Sequence, residues 1–77
     1  MAPQHLFGHV GELHYAPTLE DLNEFFGENQ TIRYDPQGNA LYEWFAVYYY
    51  AGFNFMFGFD SNDITARSFG VEIWRQN

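Results

Sequence analysis

Four phenylalanines at alternate positions, Phe53, Phe55, Phe57 and Phe59, constrain this chain more than any other feature, with Asn54, Met56, Gly58 and Asp60 alternating against them. A period of two puts all four rings on one face of an extended strand, which a helix of period 3.6 would not do. The segment therefore reads as a strand whose phenylalanine face needs cover. Upstream, residues 41–50 are aromatic and β-branched, and Ala51-Gly52 between the two runs offers a tight turn. A hairpin follows. Residues 31–34 are β-prone and lead into Asp35-Pro36-Gln37-Gly38-Asn39, a turn in which Pro fixes φ and Gly or Asn takes positive φ. Beyond a further turn at Asp60-Ser61-Asn62-Asp63, Phe69, Val71 and Ile73 alternate with Gly70, Glu72 and Trp74 in a last strand.

Residues 17–27 have a different period. Leu19, Leu22, Phe25 and Phe26 recur at helical spacing, Thr18 suits the N-cap, Glu20 and Asp21 suit the positive end of the helix dipole, and Gly27 suits the stop. The spacing predicts a short amphipathic helix with those four apolar residues on one face. Isolated helices need about 12–15 residues to persist, so this one must be held by packing on the sheet. A short strand is also predicted at 9–15, where Gly11 interrupts the pattern. The expected fold is α+β: one short amphipathic helix packed on a four-stranded antiparallel β-meander, in a single domain over residues 1–77.

Charge narrows the partners. Ten carboxylates stand against three arginines and no lysine, a formal charge of −7, in a chain that is 47% hydrophobic and 22% aromatic. Phosphate binding needs Lys or Arg to replace condensed counterions, so no direct nucleic-acid contact and no docking on an anionic membrane is expected. A basic protein partner is. With zero cysteines there is neither a disulfide framework nor a thiolate cluster. Residues 1–15 lack a basic n-region and an apolar h-region, and the most apolar window, residues 44–59, falls short of the roughly 20 residues of a membrane helix, so a cytoplasmic location is expected.

Chemistry has little to stand on. His5 and His9 are four apart with His14 near, but Gly8 and Gly11 oppose a helix there, and on a strand positions 5 and 9 lie about 13 Å apart. No metal and no cofactor is expected. The chain carries no Gly-x-Ser-x-Gly elbow and no phosphate-binding Gly-rich loop, and Glu43 and Glu72 on strands read as a solvated pair more than as an acid and a base. It reads as no enzyme.

The expected working surface is acidic and aromatic. Four of the ten carboxylates, Glu20, Asp21, Glu24 and Glu28, fall within nine residues, and Glu20 and Glu24 lie one turn apart. Four residues of helix rise about 6 Å, close to the phosphate spacing of one nucleic-acid strand. These four are the candidate phosphate mimics, with Glu43, Glu72 and Trp74 as further partner-binding candidates. Strand parity puts Tyr42, Trp44, Tyr48 and Tyr50 on one face and Leu41, Phe45, Val47 and Tyr49 on the other, so one helix leaves a Tyr/Trp face without cover. Such a face suits protein binding or a homodimer contact.

Three resemblances bear on function. Ala51-Gly52-Phe53-Asn54-Phe55-Met56-Phe57-Gly58 resembles the RNP1 strand of RNA-recognition motifs, in which Phe53 and Phe55 would stack on bases. Ala51, Asn54 and Gly58 depart from its basic, small and last aromatic positions, so these phenylalanines are expected in a core instead. A helix ending in Phe26-Gly27, then Leu41-Tyr42-Glu43-Trp44, a tyrosine run and Phe57-Gly58-Phe59-Asp60-Ser61-Asn62-Asp63-Ile64, resembles the layout of SmpA/OmlA-type envelope domains. That implies a structural or assembly module working through its aromatic sheet face, as a homodimer. In size, charge and domain type the chain resembles small acidic phage inhibitors of the anti-CRISPR type. That implies a DNA mimic acting on a Cas effector subunit in the host cytoplasm; an immunity protein for a nuclease toxin would work by the same physics.

Overall fold

The turn at Ala51-Gly52 sets the register from which the sheet is built. Both residues take positive φ, 53° and 86°, as in the primed two-residue turns whose twist matches that of the flanking strands. It joins β2 (Trp44–Tyr50) to β3 (Phe53–Phe59), which pair antiparallel with Tyr50 opposite Phe53, Tyr48 opposite Phe55, Ala46 opposite Phe57 and Trp44 opposite Phe59. Directly opposed residues share a face. Trp44, Tyr48 and Tyr50 of β2 therefore join the phenylalanines of β3 in one layer, which corrects the expectation of a separate, uncovered Tyr/Trp face. Parity is right for Trp44, Tyr48 and Tyr50, but Tyr42 lies before β2 and its ring is over Gly58 and Gly70 on the other face, and the two-residue turn decides which faces coincide.

The computed structural model describes residues 16–76. The strand predicted at 9–15 and the three histidines lie outside them. Within the described residues the sheet has the order β1-β2-β3-β4 with every neighbour antiparallel, β1 being Arg33–Tyr34 and β4 Gly70–Arg75. This is the α+β layout expected, one helix on a four-stranded meander. β1 lacks the predicted residues 31–32, and β2 lacks 41–43 because the loop 35–43 closes on itself. The Asp35 carboxylate accepts the Gln37 and Ala40 N–H groups, and the Asp35 N–H donates to the Glu43 carbonyl at 2.8 Å.

Tyr42, just before β2, lays its ring across the sheet where no side chain competes. A Cβ at Gly58 would come within 2.5 Å of that ring, and one at Gly70 within 2.8 Å of its hydroxyl. Both glycines are thus required by a close approach. Burial and the nearby Glu72 carboxylate push the Tyr42 hydroxyl above its ordinary pKa.

α1 (Leu19–Phe26) begins and ends as its sequence dictates. The Thr18 hydroxyl accepts the Asp21 N–H while the Asp21 carboxylate accepts the Thr18 N–H, and Gly27 closes the helix in the left-handed conformation at φ 67°. Leu19, Leu22 and Phe26 turn to the sheet, whereas Phe25 is 49% exposed. The expected four-residue apolar face is thus three residues wide. Phe25 lies about 100° round the helix from Phe26, beyond the stripe that one sheet contact buries.

Tyr48 joins helix to sheet. Wholly inaccessible, it stacks on Phe26 with ring centroids 4.7 Å apart and donates its hydroxyl to the Asn23 side-chain oxygen at 2.8 Å. Asn23 also exchanges two hydrogen bonds with the Gln30 backbone, fixing the chain that leaves the helix. The helix N-terminus is fastened separately: Ser68, through both its N–H and its hydroxyl, donates to the Pro17 carbonyl, and Thr18 bridges to Arg67.

Two outcomes are expected. Ala51→Asn, which tolerates positive φ better than alanine, raises stability by up to about 1 kcal/mol, read as a higher denaturant midpoint at unchanged m-value. Tyr48→Phe loses about 1 kcal/mol by removing one buried hydrogen bond. Its hydroxyl also sets an alkaline limit. Burial, with Glu28 adding to it, raises the pKa of folded Tyr48, so above pH of about 10 the unfolded tyrosine ionises first and stability falls. Tyr48→Phe makes that alkaline decline shallower in unfolding scans.

Candidate functional site

On α1 the residues at 100° spacing put Glu20, Asn23 and Glu24 on one flank and Phe25 on the other. The acidic flank faces an open groove of about 830 Å³, with Glu20, Glu24 and Glu28 on one side and Ile64 and Thr65 of the β3–β4 connection on the other. Asn23 lies between them at its base, held by Tyr48 and Gln30. The structure thus brings three of the four predicted helix acids to one cleft.

They are not equivalent. Glu20 and Glu24 make no hydrogen bond or ion pair among the described residues, and both are exposed. Glu28 is committed to the fold through both oxygens, accepting the Gln30 side-chain amide at 2.8 Å and the Tyr49 N–H on the outer edge of β2 at 3.4 Å. Asp21 is occupied as well, because its carboxylate completes the helix cap. Two of the four are therefore free to meet a cation.

The remaining candidates lie elsewhere. Glu43 is exposed in the loop before β2, and its carbonyl serves Asp35. Glu72 and Trp74 are on the face of β4 turned away from α1, opposite Met56 and Asn54 of β3. Glu72 is level with Met56 and so with Val47, four residues from Glu43 along the chain and two strand spacings across, which puts the two acids roughly 16 Å apart. They do not form a carboxylate pair. The seven predicted residues thus fall into three places, joined by neither face nor contact.

Sequence reasoning passed over Asn23, Ile64, Thr65 and the neighbouring Asp63. Asp63, next in the chain to the groove residue Ile64, accepts hydrogen bonds from both the N–H and the hydroxyl of Thr65, which hold its carboxyl below the usual range. Nothing local marks these residues as site-forming, because only the meander returns the 60–69 connection to the helix.

The arginines are placed on other partners. Arg33 lies over the Phe45 ring at 6.0 Å, Arg75 over the Phe53 ring at 5.3 Å, and Arg67 donates to the Ala16 carbonyl at 3.0 Å. The excess negative charge of the groove is not neutralised by these contacts. Among the described residues no group of three His, Asp or Glu side chains is placed to hold a metal ion, and no helix is long and apolar enough to cross a membrane. Phe55, one of the two residues that an RNA-recognition strand would offer to bases, is 1% exposed and faces the helix side. Comparison with protein families, with characterised proteins and with solved structures returns no significant match to this chain.

The division between structural and free acids is directly measurable. Asp21→Ala should cost about 1 kcal/mol through the cap, whereas Glu24→Gln should stay within about 0.5 kcal/mol, both read by chemical denaturation.

Proposed function

We propose that this protein is a non-enzymatic interaction module that binds a basic surface of a partner protein through the acidic groove beside α1. The observation that carries this reading is the convergence of Glu20, Glu24 and Glu28 on one open cleft, with Glu20 and Glu24 unpaired in a chain of charge −7. Opposed fields of this kind steer association and weaken as salt shortens the Debye length, about 10 Å at 0.1 M. A surface built to hold nucleic acid is the natural complement, because Lys and Arg arranged for phosphates accept carboxylates equally well. The mode of action proposed is occlusion of that surface, as a DNA-mimicking anti-CRISPR inhibitor would occlude a Cas effector subunit. An immunity protein against a basic nuclease would use the same groove.

A second reading has its own observation. Among the described residues β4 is an edge strand of six residues, with Ile73 within it and Phe69 just before it exposed, and open edges pair readily. Self-association through that edge would make the chain a homodimeric assembly module. Solution mass separates the two readings: a dimer that persists at high salt supports the second.

The test of the first is capture of partners at low and high salt by the wild-type chain and by Glu20→Lys/Glu24→Lys. Partners eluting as salt rises, competed by duplex DNA and lost in the double variant, are expected. Undiminished capture by a folded double variant would remove the groove from the function.

A further inference from the structure

On the sheet face turned away from α1, one cross-strand row reads Tyr49, Asn54, Trp74 from β2 through β3 to β4. The two rings are 48% and 40% exposed, yet Asn54 between them is only 8% exposed. Its side-chain amide makes no hydrogen bond among the described residues, and neither of its polar atoms is fully shut off from solvent. Among the described residues water is the partner left to this amide, and a guest with matching donors or acceptors takes its place. Asn54 therefore offers a donor and an acceptor between two exposed aromatic residues of one cross-strand row.

We propose that the Tyr49–Asn54–Trp74 row is a binding slot for an arginine side chain of the basic partner. β2 and β4 are two strand spacings apart, about 10 Å, and a planar group needs about 3.5–4 Å of contact distance to a ring on each side. One flat guest fits. A guanidinium is planar, weakly hydrated and stacks on aromatic faces, and its fixed donors suit the Asn54 side-chain oxygen. Glu72, exposed on the same face and two residues from Trp74, about 7 Å along β4, provides a carboxylate for the same cation. A lysine ammonium lacks the planar face, and an uncharged ring would leave Glu72 unused. Two of the chain's own arginines already rest on aromatic rings of this sheet, Arg33 on Phe45 and Arg75 on Phe53. The inference rests on the basic-partner reading but uses the opposite sheet face from the groove, so the two are separable.

Hexa-arginine and hexa-lysine peptides titrated into the full chain at low salt, followed by calorimetry, distinguish them. The slot should favour hexa-arginine by about tenfold, the scale of one desolvated cation–π contact. Trp74→Ala should erase that preference and leave hexa-lysine binding unchanged, while Glu20→Gln/Glu24→Gln should weaken both peptides alike. Tyr49→Leu gives the same readout from the other wall if Trp74→Ala does not fold, as judged by circular dichroism. Equal affinity for the two peptides, or a preference that survives both aromatic variants, overturns the slot and leaves the basic-partner reading standing. Binding of neither peptide overturns both.

Discussion

The contact between Tyr48 and the helix is the constraint on which this small structure turns. An eight-residue helix does not persist alone, and a four-stranded sheet with aromatics along one face does not stay monodisperse in water without cover. Tyr48 addresses both needs at one point. Its ring stacks on Phe26 and lies beside Phe57, while its hydroxyl reaches Asn23 on the helix. A phenylalanine would pack as well but would not set the height and rotation of α1 over β2. Because Asn23 spends its remaining capacity on Gln30, the exit of the helix is set by the same residue. Glu28, and with it one end of the acidic groove, is positioned as a consequence.

The same economy shapes the charge. Of the acids clustered on and after the helix, Asp21 and Glu28 hold the backbone together and Glu20 and Glu24 do not. Counting carboxylates would assign all four the same role. Hydrogen-bond geometry separates them, since the Asp21 and Glu28 carboxylates are held in place by bonds within the fold and those of Glu20 and Glu24 are not. The three arginines make other contacts: Arg33 and Arg75 lie over ring faces, and Arg67 donates to the Ala16 carbonyl. What remains is a small protein with a negative field concentrated on one flank of its helix and an aromatic row on the far side of its sheet.

Much of this was legible in the residues. Thr18 and Gly27 delimit the helix because side-chain capping and the left-handed stop are local chemistry, and the 53–59 alternation marks a strand because a pleat repeats every two residues. The Ala51-Gly52 turn belongs to the same class. Loop 35–43 was only half legible: its turn residues were visible, but not the Asp35 hydrogen bonds that delay the start of β2. The Tyr/Trp layer was misjudged for a reason of the same kind. Parity orders residues within one strand, and register between strands is a pairing property that no single strand contains.

The sequence by itself determined the element types, their order, the helix boundaries and the net charge, all of which follow from backbone preferences over a few neighbouring residues. Tertiary structure alone decided which faces coincide, which acids stay free, and that Ile64 and Thr65 close a groove against Glu20 and Glu24. It also decided that Tyr49, Asn54 and Trp74, up to 25 positions apart in the chain, stand in one row. Such juxtapositions arise from hydrogen bonds and packing between segments distant in the chain, where local propensity carries no information.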